Sequence, residues 1–288
     1  MATQTVTAPL LNVVLRPGSE AAEAYGSAVL APDHKPHPEL NLHYLGGKTI
    51  PSLTWINVYL GRWDETDRAQ LDGALAAALT DAGLNNVLAQ YFPGAKVEAT
   101  FAGSQSIPDS PSAMEQADVE KLVARLDSDG ALAGHDHSST AMVLLLPRGA
   151  VLTHGVASSK HGLGGFHGSV HPRPRTTVYY AVAVYSEGSN GIVEFDASWK
   201  NVCATVYHEL EEIRTDPDVE DAIRAGPGAA AEGFLGWYSP NGGEIGDIDI
   251  VMNEVPLADG TGTVPVQLMW SNAVGGPEGP ISRPHPPR

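Results

Sequence analysis

The sequence is poor in cysteine and in positive charge. Its 288 residues include one cysteine, and 17 Lys and Arg oppose 34 Asp and Glu, which gives a formal net charge of −17. A single thiol excludes an internal disulfide framework and a zinc site built from several cysteines. The shortage of positive charge argues against nucleic acid and anionic membrane surfaces as partners, because both are bound through Lys and Arg. We therefore expect a small-molecule or peptide partner.

Long apolar runs are also missing. No stretch approaches the roughly 20 apolar residues that cross a bilayer as a helix. The opening segment MATQTVTAPLLNVVLRPGSE does not have the basic stretch followed by an apolar stretch that marks a secretory signal. We therefore expect a cytoplasmic protein.

Apolar periodicity predicts alternating strands and helices. β-Branched and aromatic runs predict strands over residues 52–60, 96–103, 141–146 and 178–185. Helical spacing of apolar residues predicts helices after Asp64, over 85–92, over 114–126 and from 196 to about 215. Residues 153–171, which are rich in glycine and histidine, are predicted to form a loop.

This order of elements predicts an α/β or α+β fold, a single layered domain with a mixed β-sheet flanked by helices. The domain is expected to span residues 41–274. Residues 1–40 show no sustained periodicity and are expected to form an extended arm over the surface. Residues 275–288 are rich in proline, which favours an extended or disordered tail.

Residues 208–212, H-E-L-E-E, form an H-E-x-x-E motif within the helix predicted from residue 196 onward. In H-E-x-x-H metalloproteases, two ligands one helical turn apart bind zinc and the Glu after the first ligand activates a water. A Glu in place of the second His keeps a nitrogen and an oxygen donor at this spacing. The motif thus predicts His208 and Glu212 as ligands of one divalent metal, with zinc first and manganese or iron as alternatives, and Glu209 as general base.

A catalytic metal site with an open position needs a third protein ligand. The favoured candidate is Glu244, in the turn-rich segment GWYSPNGGEIGDID (236–249). Asp247 in the same segment is expected to orient the helix histidine or to replace Glu244 as ligand. Asp218, after the helix, and His167, in the predicted loop, are further alternatives.

Two other questions stay open at this level. Tyr238 is a candidate for stabilising an oxyanion, and simple packing is the alternative. The same carboxylates also suit a structural calcium in a non-catalytic binding or signalling protein. A third alternative is a metal-dependent biosynthetic enzyme that acts on a non-peptide substrate.

Several motifs, taken in order, resemble the exordium, or phosphate-induced protein, family and its bacterial relatives. They are HYLGG (43–47), YLGRW (59–63), FHGS (166–169), HELEEIRTDPD (208–218) and GWYSPNGGEIGD (236–247). The resemblance implies a zinc-peptidase-like, or zincin-like, active-site helix with His208, Glu209 and Glu212 at the matching positions. The cysteines that flank the H-G-S element in that family are absent here. Plant members, which are linked to growth signalling and the cell wall, lack the H-E-x-x-E motif.

Taken together, motif and resemblance predict a metal-dependent hydrolase, first of all a peptidase or amidase.

Overall fold

The computed structural model describes residues 10, 12–25, 35–226 and 228–286. The strands are β1 (Val13–Leu15), β2 (His43–Tyr44), β3 (Ser52–Leu60), β4 (Glu98–Ile107), β5 (Ala113–Glu115), β6 (Thr140–Leu145), β7 (Val151–His154), β8 (Ala157–Ser158), β9 (Leu163–Arg173), β10 (Thr176–Ala183), β11 (Trp237–Tyr238), β12 (Met252–Pro256), β13 (Thr263–Gln267), β14 (Met269–Ser271) and β15 (Gly276–Glu278). The helices are α1 (Glu20–Tyr25), α2 (Glu65–Thr80), α3 (Ala82–Leu88), α4 (Gln116–Ser128), α5 (Ser198–Thr215), α6 (Val219–Ala225) and α7 (Ala229–Glu232).

A six-stranded mixed sheet in the order β1-β9-β10-β6-β3-β4 forms the centre of the fold. The strands β10, β6, β3 and β4 run parallel, whereas β9 is antiparallel to β10 and β1 is antiparallel to β9. Helices cover both faces, with α2, α3 and α5 in one apolar core and α1 and α4 in the other. The predicted fold class, a mixed sheet flanked by helices, is confirmed.

Burial on both faces explains the continuous apolar runs. In β6, Ala141, Val143 and Leu145 point into one core, and Met142 and Leu144 point into the other. A strand with two covered faces has no polar side to show, so its sequence loses the usual alternation. The strand predicted over residues 52–60 is confirmed with the same bounds.

The predicted loop over residues 153–171 is wrong, because most of this segment is β-structure. It includes β8 and most of β9, and β9 lies inside the sheet between β1 and β10. Its glycines serve close packing: a Cβ on Gly165 would lie 2.4 Å from the carbonyl oxygen of Val182 and 3.0 Å from Cγ2 of Thr205 in α5. Only a residue without a side chain fits between the backbone of β10 and the Thr205 side chain of α5.

The N-terminal segment also departs from its prediction, whereas the proline-rich C-terminal segment includes an extended strand. Instead of a surface arm, residues 13–15 form the buried edge strand β1, while residues 1–9, 11 and 26–34 of the predicted arm lie outside the described residues. In the predicted tail, β15 pairs with β14, and Ile281 exchanges hydrogen bonds with Gly83 and Asn86. Residues 287 and 288 are not described.

No helix among the described residues combines the length and the apolar character needed to cross a membrane.

The glycine packing can be tested with Gly165→Ala. Because the added methyl meets a backbone carbonyl that cannot rotate away, we expect the free energy of unfolding to fall by about 1–3 kcal/mol in chemical denaturation. The control is Gly73→Ala, at an exposed position in α2 with no atom within 4 Å of the new Cβ. That change should stabilise the protein by about 0.5–1 kcal/mol, since alanine is the better helix former. Unchanged stability of Gly165→Ala would contradict the close packing around Gly165 between β9, β10 and Thr205 of α5.

Candidate metal centre

The H-E-x-x-E motif lies on a helix that is buried from all sides. α5 packs against β9 and β10 of the sheet and against β13 on its opposite side, and every residue from Asn201 to Thr215 is buried. The side chains of His208, Glu209 and Glu212 are 0% exposed. Burying charged groups costs free energy unless opposite charge or hydrogen bonds compensate them. The stability of these three buried side chains therefore depends on the groups that face them.

Gln267, at the end of β13, fixes the orientation and tautomer of His208. The side-chain amide nitrogen of Gln267 donates to the carbonyl of Gly246, so its oxygen faces His208, 2.9 Å from Nδ1. An amide oxygen can only accept a hydrogen bond, so Nδ1 carries the proton. The lone pair of His208 Nε2 is then available to a metal, as in other proteins where a neighbouring acceptor sets the tautomer of a ligating histidine.

The first of two possible ligand groups consists of His208, Glu212 and Asp247, whose ligand atoms lie within 4.8 Å of one another. His208 Nε2 is 3.1 Å from Glu212 Oε1 and 3.6 Å from Asp247 Oδ1. The turn that contains Asp247 is held over the helix by the Gly246 amide, which donates to Glu212 Oε1 at 3.2 Å. A Cβ on Gly246 would lie 2.5 Å from His208 Nδ1, so this close cover requires glycine.

The second group consists of His167, Glu212 and Glu244, again within 4.8 Å. His167 reaches α5 from β9, and its Nδ1 donates to Glu209 Oε2 at 3.0 Å. The same Nδ1 is 3.4 Å from Glu212 Oε2, and Nε2 on the other side of the ring is 3.6 Å from Glu244 Oε1. Glu212 thus belongs to both groups, with a different oxygen facing each histidine.

Many buried polar atoms of this cluster have no hydrogen-bond partner. His208 Nε2 is one of them, because Glu212 Oε1 is close but not aligned as an acceptor. Buried polar groups in folded proteins are almost always satisfied, and an ion or an ordered water is the usual partner where the protein supplies none. The donor set of imidazole nitrogens and carboxylate oxygens fits a divalent transition metal. The remaining unpartnered atoms are His167 Nε2, Glu209 Oε1, Glu212 Oε2, both oxygens of Glu244 and Asp247 Oδ2.

The crowding of charge shifts the protonation of the cluster. Burial lowers the pKa of His167 and His208, but the neighbouring carboxylates outweigh it and raise both to about 10. Burial and the proximity of Glu212 raise the pKa of Glu244 and Asp247 well above the usual range. Burial opposes ionisation of Glu212 as well, yet the two histidines lower its pKa to about 2. A metal ion that binds here therefore has to displace protons from the histidines and from Glu244 and Asp247.

The structure changes the expected ligand set. Neither of the two groups formed by the described residues combines His208 with Glu244: Asp247 completes the group of His208, and Glu244 joins His167. Asp218 belongs to neither group, and its carboxylate accepts from the hydroxyl of Tyr179 at 3.0 Å.

Two further residues bear on the sequence predictions. Tyr238 lies in β11 within a small apolar cluster, and its catalytic role stays a prediction. Sequence analysis missed Gln267, although a glutamine at the end of the apolar run that forms β13 was a signal that it has a buried polar partner.

The role of Gln267 can be tested with Gln267→Leu, which keeps the size but removes the acceptor for His208 Nδ1. We expect the affinity for Zn²⁺, measured by titration of the metal-free protein, to fall about 10–100-fold, as when other orienting partners of metal ligands are removed. The matched control is Gln90→Leu, another buried glutamine, which donates to Val87 and Ser271. If both variants bind Zn²⁺ as the unmodified protein does, Gln267 does not orient a ligand.

Comparison with known proteins gives no relative. No model of a known protein family matches this chain, and no curated protein matches it. The resemblance to the exordium family, and the roles that it implies, stay predictions.

Proposed function

We propose that this protein is a metal-dependent hydrolase that acts on a peptide, amide or related acyl substrate. In this proposal His208, Glu212 and Asp247 hold a divalent cation, zinc first, and Glu209 is the general base. The proposal rests on His208 and Glu212, which lie one helical turn apart. Nε2 of His208 faces Glu212 and Asp247, because Nδ1 is held by Gln267. A formal charge of −17 favours such substrates over nucleic acids.

The position of Glu209 favours a catalytic metal site over one that only binds an ion. It belongs to neither ligand group, its Oε2 accepts from His167, and its buried Oε1 has no hydrogen-bond partner. A carboxylate with a free oxygen beside a metal can accept a proton from an attacking water. The bound cation supplies Lewis acidity, which polarises a carbonyl and acidifies water.

The ligand count also favours a hydrolase. Structural zinc sites are closed, with four protein ligands that are mostly Cys and His. The group around His208 offers three, one nitrogen and two carboxylates, and so leaves a position open. The histidines argue against the calcium alternative, because calcium is bound by oxygen ligands.

Burial favours a second candidate, a non-catalytic binding protein in which the ion stabilises the fold. His208 and Glu212 are 0% exposed, and the turn with Gly246 covers them. A substrate reaches the centre only if this covering turn moves, whereas a structural ion needs no such movement. Under either candidate, the cytoplasmic location stays a prediction.

The test is Glu209→Gln, which keeps the shape of the side chain and removes its basicity. We expect one equivalent of the first metal to be retained and hydrolysis to fall about 10²–10⁴-fold, the usual contribution of a general base. Metal content is measured by elemental analysis and hydrolysis with a panel of peptide, amide and ester substrates. The control is Glu194→Gln, at an exposed position outside both ligand groups.

Two results would count against the proposal in different ways. Undiminished turnover by Glu209→Gln would exclude Glu209 as the base. Full metal content without turnover of any substrate in the panel would favour the structural candidate.

A further inference from the structure

We infer that the centre holds a second divalent cation between His167, Glu212 and Glu244, and that Glu212 bridges the two ions. This inference rests on the proposed function for the first ion, at His208, Glu212 and Asp247. It assigns a metal-binding role to a strand, β9, that lies outside the H-E-x-x-E motif.

The two oxygens of Glu212 point to different partners. Oε1 accepts from the Gly246 amide at 3.2 Å and lies 3.1 Å from His208 Nε2. Oε2 lies 3.4 Å from His167 Nδ1 and has no hydrogen-bond partner. In two-metal hydrolases the ions lie about 3.5–4 Å apart, a separation that one carboxylate can span. Glu212 is the one residue that belongs to both ligand groups among the described residues, so its carboxylate is the candidate bridge.

His167 is prepared as a ligand in the same way as His208. Its Nδ1 donates to Glu209 Oε2, which leaves the lone pair of Nε2 directed away from Glu209 and toward Glu244. A carboxylate behind a histidine ring is a common arrangement around bound metals, because it fixes the tautomer and increases the basicity of the ligating nitrogen.

The contact between His167 and Glu244 is unsatisfied without an ion. Nε2 and Oε1 are 3.6 Å apart, which is too long for a hydrogen bond, and both side chains are 0% exposed. Neither oxygen of Glu244 has another hydrogen-bond partner. Two buried polar groups that face each other at this distance are costly by themselves, and a cation between them would satisfy both.

The four carboxylates of the cluster can balance two divalent ions. Among the residues described, the charged contacts of Glu209, Glu212, Glu244 and Asp247 involve only the two histidines. Metal binding requires these histidines to be neutral. Two dications match four ionised carboxylates, whereas with one dication two of the carboxylates keep protons.

The experiment counts bound ions in the full chain. Metal-free protein, prepared with a chelator, is titrated with Mn²⁺, and the bound ion is followed by electron paramagnetic resonance and elemental analysis. We expect two Mn²⁺ per chain and an exchange-coupled signal, because a shared carboxylate couples the ions magnetically. Glu244→Gln and Asp247→Asn should each bind one Mn²⁺ and lose the coupled signal. Glu194→Gln, at an exposed position outside both ligand groups, is the control and should keep two ions.

The number of Mn²⁺ ions bound by the unmodified chain is enough to overturn the inference, even if the variants do not fold. A single Mn²⁺ per chain, no bound Mn²⁺, or two ions without coupling would each refute the bridged pair. Retention of two coupled ions by Glu244→Gln would refute the assigned ligands. Hydrolysis with one bound ion would leave the proposed function standing and the second ion refuted. Two coupled ions without hydrolysis would support the pair and contradict the hydrolase.

Discussion

The close contact between buried carboxylates and imidazoles on α5 is the interaction on which the rest of this centre depends. Glu212 is fully buried, and its oxygens face His208 from its own helix and His167 from β9. A carboxylate in such a place must be balanced by positive charge, which here comes from protons on the rings or from a metal ion. β9 and the turn that contains Gly246 both bring polar groups to this one side chain.

Two glycines make that approach possible from opposite sides. Gly165 lets β9 lie close to the backbone of β10 and to the Thr205 side chain of α5, and His167, two residues further along the same strand, contacts Glu209. Gly246 lets the covering turn approach His208 and Glu212, and this places Glu244 and Asp247 beside them. At neither position is there room for a Cβ. Each glycine therefore matters because it allows close packing at the centre, and not because it makes the backbone flexible.

The sequence predicted those parts of the molecule that depend on local spacing. The bounds of β3, the end of α5 at Thr215 and the common stripe of His208 and Glu212 all follow from periods of two or 3.6 residues. β9 was missed because glycine and histidine are typical of loops, and only the neighbouring helix shows why they occur in a strand. The partners of His208 were uncertain for a related reason: Asp247 and Gln267 come from distant segments, and helical spacing carries no information about them.

Two adjacent glutamates on α5 face different partners. One forms a structural ion pair, and the other lies in the candidate metal centre. Glu211 points to Arg214, whose guanidinium also donates to the carbonyl of Pro51. That pair is fully buried, and it joins the helix to the start of β3. Glu212 is balanced by imidazoles, which can give up their protons when a metal binds. Because the two carboxylates lie on different sides of the helix, the charge at Glu212 can be exchanged between protons and metal without loss of the ion pair at Glu211. The ion pair of Glu211 and Arg214 can therefore stabilise the helix whether or not a cation is bound at Glu212.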